Sequence, residues 1–208
     1  MKKYILISII FTVLWGSTKN DSTKTSTQDI ENITIVKSYK NSQFFRSEAY
    51  CYFVFQKIIT PKDINPNLFS KYIKGATLSL HFLHLYNEWL KSEDGIKCKN
   101  LIGKSFKPIE SSLNKKFIIF LNLKAIEEDG NSLEITYNHE RLHVAFSLYK
   151  SNRVRIKKRL DSLPKKQREA FFNSHPGYNF KNTDVQLREY YAYEFQNNYQ
   201  EGLDFLAK

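Results

Sequence analysis

Within Asn138-His139-Glu140-Arg141-Leu142-His143, two histidines stand four residues apart and a glutamate follows the first. The spacing fits a helix, where one turn carries both imidazoles onto one face, within reach of a single metal ion. Glu140 then lies beside that face, where a carboxylate can hold a metal-bound water and take its proton. Such chemistry needs two neutral nitrogen ligands, an open coordination position and a nearby base. The flanking residues also predict a helix. Asn131 with Glu134 reads as an N-cap and capping box. Leu133, Ile135, Leu142, Ala145, Phe146 and Tyr149 supply an apolar face, so a helix is predicted over about 131–149.

With that motif the chain resembles the zincin metallopeptidases, whose active helix carries His-Glu-x-x-His as two zinc ligands and a general base. The resemblance is specific over these five residues. It implies a Zn2+ cofactor held by His139 and His143, with Glu140 as the catalytic base. It also gives meaning to the order of elements. Residues 116–125 (KFIIFLNLKA) read as a strand, followed by a loop at Glu127-Glu128-Asp129-Gly130 and then the helix. Zincins often show that order, with an edge strand alongside the metal that binds substrate backbone by strand addition.

Catalytic zinc takes three protein ligands, and Glu189, Glu194 and His175 are the candidates for the third. On a helical wheel Val185, Ala192, Phe195, Tyr199 and Leu203 form the apolar face of the last helix. Glu189 lies at the border of that face and Glu194 falls opposite. Arg188-Glu189-Tyr190-Tyr191-Ala192 also resembles the second motif of gluzincins, in particular the Arg-Glu-x-x-Ala-Asp of the membrane-embedded prenyl-protease family. There the Glu is the third zinc ligand. Tyr193 stands here where that family has Asp, and that family's membrane spans are lacking. A looser likeness to secreted bacterial zincin-like proteins, which carry a later Tyr-x-x-Glu, implies Tyr191 and Glu194 instead. Glu189 is the favoured ligand. Attack on a carbonyl builds negative charge on oxygen. Tyr193, one turn beyond Glu189, is the candidate stabiliser, with His175 and Tyr178 as alternatives.

The first residues read as an export signal. Lys2 and Lys3 precede an apolar run from Tyr4 to Trp15, short for a bilayer span, and Gly16, Ser17 and Thr18 follow. The predicted organisation is a cleaved signal peptide at 1–16, a disordered polar tether at 17–32 and a zincin-like catalytic domain at 33–208. An uncleaved N-terminal anchor is the alternative. Export makes the protein secreted or periplasmic, in an oxidising compartment. There Cys51 and Cys98, the only two cysteines, either pair as a disulfide or stay as buried thiols. A net charge of +11 predicts a basic surface, densest over residues 150–168. That stretch reads as the solvated face of a helix or as a docking surface for anionic envelope polymer.

A chain of 208 residues, 41% hydrophobic and 15% aromatic, suits one domain with a real core. Strands are predicted at 33–36 and, more strongly, at 49–59 (AYCYFVFQKII). Residues 68–73 read as helix, 76–90 as helix or strand, and 92–107 as loops marked by Gly95 and Gly103. His81 and His84 read as packed histidines rather than a second metal pair. The active helix is predicted to run on to about 160, and Pro164 to open a short helix ending near 173. Thr183-Asp184-Val185-Gln186 starts a final helix over about 184–200. The sum is an α+β domain, with a small, mostly antiparallel sheet packed on the His-Glu-x-x-His helix and a C-terminal helix. The predicted function is zinc-dependent hydrolysis of peptide bonds in a peptide or protein substrate. Two rival readings stand beside it: a non-catalytic, basic envelope-binding protein, and a zinc hydrolase of a non-peptide, cell-wall amide.

Overall fold

Phe117-Ile118-Ile119-Phe120-Leu121 is an unbroken apolar run with no face to turn to water. A strand of that kind belongs between two covered faces. The computed structural model, which describes residues 27–56, 59, 61–62, 64–110, 115–149, 153–174, 180 and 182–207, puts it there. Thr34–Tyr39 (β1), Gly75–Ser79 (β2) and Phe117–Asn122 (β3) form a three-stranded sheet in the order β1-β3-β2. β3 runs parallel to β1, with Thr34 opposite Phe117, and antiparallel to β2, with Gly75 opposite Leu121. The sheet is therefore mixed, not mostly antiparallel as the sequence predicts. Between β1 and β3 the chain makes a long crossover through β2 and several helices, and such a crossover is what parallel pairing requires.

Helices cover both faces. On one side Ile118 and Phe120 pack with helices Ser42–Phe55 (α2), Pro66–Tyr72 (α3), Leu83–Trp89 (α4) and Glu93–Ile102 (α5). On the other, Phe117, Ile119 and Leu121 meet Thr27–Ile33 (α1), Leu123–Glu128 (α6), Leu133–Leu148 (α7), Arg153–Ser162 (α8), Lys165–Ser174 (α9), Thr183–Phe195 (α10) and Tyr199–Ala207 (α11). A mostly helical chain around a small mixed sheet fits the predicted α+β class.

The strongest strand prediction, 49–59, fails, since its residues through Phe55 are helical. α2 starts where the Asn41 side chain accepts a hydrogen bond from the Gln43 N–H at 2.8 Å. It buries Phe45, Ala49, Tyr50, Cys51, Tyr52 and Phe53. A helix buried on nearly every side carries no polar stripe, so the period that tells helix from strand is missing and β-propensity misleads.

Residues 92–107 hold a helix rather than loops. Ser92 caps α5 by accepting from the Gly95 N–H at 3.3 Å. Gly95 is needed for room, because a Cβ there would lie 2.2 Å from the Trp89 carbonyl oxygen. Gly103, at φ +71°, ends the helix. Cys98 on α5 is disulfide-bonded to Cys51 on α2. Residues 76–90 are both strand and helix: β2, one 3-10 turn at Leu80–Phe82, then α4.

Where long helices are predicted the chain breaks. α7 stops at Leu148 and α8 begins at Arg153; α10 stops at Phe195 and α11 begins at Tyr199. The second break lets both α10 and α11 lie against α7. The N-cap of α7 is Ser132, accepting from the Ile135 N–H, rather than Asn131. The tether predicted through residue 32 gives way to α1 from Thr27. Ile30, 1% exposed, docks it in the core beside α7, with Ile33 packed against the same cluster and Glu31 paired with Arg141. Residues 1–26, with the predicted signal and the start of the tether, lie outside the described residues. Among the described residues no helix is long and apolar enough to cross a membrane.

Candidate metal centre

α7 carries His139 and His143 on one face, their rings 4.6 Å apart and nearly perpendicular. α10 packs across that face and brings Glu189 to them. Glu189 Oε2 lies 3.6 Å from His139 Nε2 and 3.6 Å from His143 Nε2. These distances are beyond ordinary hydrogen bonds. They suit a shared ion: ligand atoms about 2.1 Å from a tetrahedral metal stand about 3.4 Å from one another. His139 Nε2 and Glu189 Oε2 are buried and have no hydrogen-bond partner. A buried carboxylate oxygen facing two imidazole nitrogens, with no hydrogen bond joining them, is costly unless a cation sits there. The buried group His139, His143 and Glu189 can hold a metal ion.

The surroundings favour the ligating forms. Gln196 Oε1 lies 3.1 Å from His139 Nδ1. A hydrogen on Nδ1 donated to that oxygen leaves the lone pair on Nε2, toward Glu189. Burial holds the His143 imidazole well below its ordinary pKa, and the nearby His139 and Arg188 push it the same way, so the ring is neutral. Arg188 Nε and Nη2 donate to Glu189 Oε1 at 3.3 and 3.1 Å. That occupies one carboxylate oxygen and leaves Oε2 to the histidines.

Glu140 is buried beside the cluster and is held by β2. Thr77 Oγ1 lies 2.8 Å from Glu140 Oε2 and 2.9 Å from its carbonyl oxygen. Gly75 leaves space for the carboxylate, because a Cβ there would fall 2.7 Å from Oε1. The strand that touches Glu140 is therefore β2, an edge strand among the described residues, whereas β3, within residues 116–125, is central. The long crossover that parallel pairing of β1 with β3 requires carries β2, which pairs antiparallel along the other edge of β3.

Tyr193, half-buried, stands edge-on to His139 with ring centroids 4.6 Å apart. Glu194 points the other way and accepts from Arg159 Nε at 3.1 Å, so it is not in the cluster. Tyr191, its partner in the alternative motif, is buried with its hydroxyl donating to the Gly202 carbonyl at 2.9 Å. His175 and Tyr178 lie outside the described residues. His81 and His84 are exposed rather than packed in the core, with His81 edge-on to Phe82, because they fall on the outer side of the turn and helix that follow β2. The basic stretch is laced with internal ion pairs: Arg153–Asp184, Lys157–Asp161, Arg159–Glu194, Lys165–Glu169 and Arg168–Asp161.

Sequence reasoning missed Gln196, Thr77 and Gly75. Gln196 had a signal, since positions 189, 193 and 196 share a helical face. Thr77 and Gly75 had none, because nothing local ties β2 to α7. The fold and the cluster thus define a helical α+β domain with a buried His-His-Glu group able to bind metal. Comparison with protein-family models, with curated proteins and with solved structures gave no match.

Proposed function

We propose that this chain is a zinc-dependent metallopeptidase of zincin-like type, exported from the cytoplasm, that hydrolyses peptide bonds. The observation that carries the reading is the pair of 3.6 Å distances from Glu189 Oε2 to the two histidine Nε2 atoms. Two imidazoles and one carboxylate are a donor set of catalytic zinc, and three protein ligands keep one position open. Zinc bound there supplies Lewis-acid activation of water and of the substrate carbonyl.

The chain's own groups do the rest. Glu140, steadied by Thr77, takes a proton from the attacking water and passes it to the leaving amine nitrogen. Gln196 keeps His139 in the tautomer with its lone pair on Nε2. Tyr193, edge-on to His139, is our choice for the group that stabilises charge on the carbonyl oxygen. β2 is an edge strand against Glu140, which suits alignment of an extended substrate by strand addition. Export is supported by the N-terminal Lys-Lys and apolar run, and by the Cys51–Cys98 disulfide.

One observation favours a second reading. His139, His143 and Glu189 are 0% exposed and Glu140 is 1%. A centre so closed suits a metal that staples α7 to α10 without turnover. Elemental analysis of zinc per chain tests both readings, on protein carrying no His tag, beside His139→Ala. Zinc in the wild type and none in the variant supports the centre. Digestion of casein by the wild type, lost in Glu140→Gln while zinc is retained, supports the peptidase. A zinc-loaded wild type that leaves casein intact favours the staple. Absence of zinc even after incubation with the metal at neutral pH overturns both.

A further inference from the structure

Arg188 heads the fully buried side chains in volume, at 1% exposed. A guanidinium taken out of water must be paired. Its hydrogen bonds go to its neighbour in sequence, Nε and Nη2 both to Glu189 Oε1, while the buried Nη1 makes none. Adjacent residues on a helix point about 100° apart, and ordinary helical ion pairs form three or four residues apart. An Arg–Glu pair at adjacent positions, fully buried, is therefore not a routine helix-surface ion pair. Its effect is one-sided. Oε1 is held twice and Oε2 alone faces the two imidazoles.

A carboxylate free to turn can offer a metal both oxygens, and would then fill the position that water or substrate needs. We propose that Arg188 is a positioning residue that makes Glu189 a one-oxygen ligand and so keeps a coordination position open. This rests on the metal-centre reading above. The rigid guanidinium matters as well as the charge, because a lysine has no fixed pair of N–H groups to hold on one oxygen.

The test uses Zn2+ and Co2+ titrations of the full chain, with the visible Co2+ spectrum as a report of coordination number. Arg188→Met is expected to bind Zn2+ about tenfold to a hundredfold more weakly, the usual cost of losing such support. Its Co2+ band should lose intensity as the coordination number rises. Arg188→Lys keeps the charge and loses the rigid guanidinium, and should show the same spectral change. It also carries the test if Arg188→Met fails to fold. In a Glu189→Ala background, read at higher Co2+ concentration, Arg188→Met should add nothing.

An unchanged affinity and spectrum in both Arg188 variants overturns the proposal. So does an equal loss with and without Glu189, which would mean that Arg188 acts through the fold. A wild type that binds neither metal removes the centre itself, whereas a metal-binding wild type with indifferent Arg188 variants removes only this inference.

Discussion

Thr77 Oγ1 touches Glu140 twice, at 2.8 Å from carboxylate Oε2 and 2.9 Å from the carbonyl oxygen, although 63 residues separate the two in sequence. β2 thereby fixes the carboxylate that follows the first histidine of the candidate centre. The contact joins the sheet to the candidate centre.

Replacing Thr77 by Val keeps its shape and removes the hydroxyl. The buried Glu140 groups then lose a donor, at a cost of about 1–3 kcal/mol. Urea unfolding should show a lower midpoint, zinc content should not change, and casein digestion should fall. Thr77→Ser should restore all three toward the wild type.

Glu189→Ala should purify with little metal, because the cluster loses its one carboxylate. Glu194→Ala should retain it, since Glu194 is turned to Arg159. Elemental analysis of the two variants side by side decides between these positions. Zinc lost from Glu194→Ala and kept in Glu189→Ala would reverse the assignment.

Metal removal should lower stability, because the ion binds only where α7 and α10 are packed. At free metal about one hundred times Kd the linkage is worth about 2.7 kcal/mol. Thermal melts with and without a chelator should therefore separate, and the gap should vanish in His139→Ala. Equal melts in the wild type would argue against a metal bound by the folded state.

His143 should make the metal-free protein acid-sensitive. Its ring has an ordinary pKa of 6.5 and is held well below that in the fold, by burial first and by His139 and Arg188 next. Between the two values the unfolded chain binds the extra proton, so stability falls as pH drops below about 6.5. The slope reaches about 1.4 kcal/mol per pH unit. Urea midpoints of the metal-free protein on either side of about pH 6.5 should show the fall, and His143→Gln should flatten it.

The disulfide should matter for stability and not for the metal. Cys51 and Cys98 are 47 residues apart, and the chain-entropy model gives about 4 kcal/mol for such a closure. The double variant Cys51→Ser with Cys98→Ser should melt lower yet bind zinc with unchanged stoichiometry. α2 and α5 lie on the face of the sheet away from α7.

Local spacing alone was enough for some of this protein. The i, i+4 step from His139 to His143 sets both rings on one side of any helix, and Glu140 comes with them. The border position of Glu189 on the wheel likewise separated it from Glu194. β3 was legible because an unbroken apolar run admits few other places. The same reasoning failed on α2, whose residues 49–55 are buried nearly all round and so carry no helical period. Only the tertiary structure decided what lies opposite each element. Packing of α10 on α7 brought Glu189 to 3.6 Å from both histidines and Gln196 to His139. The antiparallel placement of β2 outside β3 brought Gly75 and Thr77 to Glu140. Helical periodicity is a property of neighbours along the chain, whereas these contacts join distant segments and are fixed by which faces must be buried together.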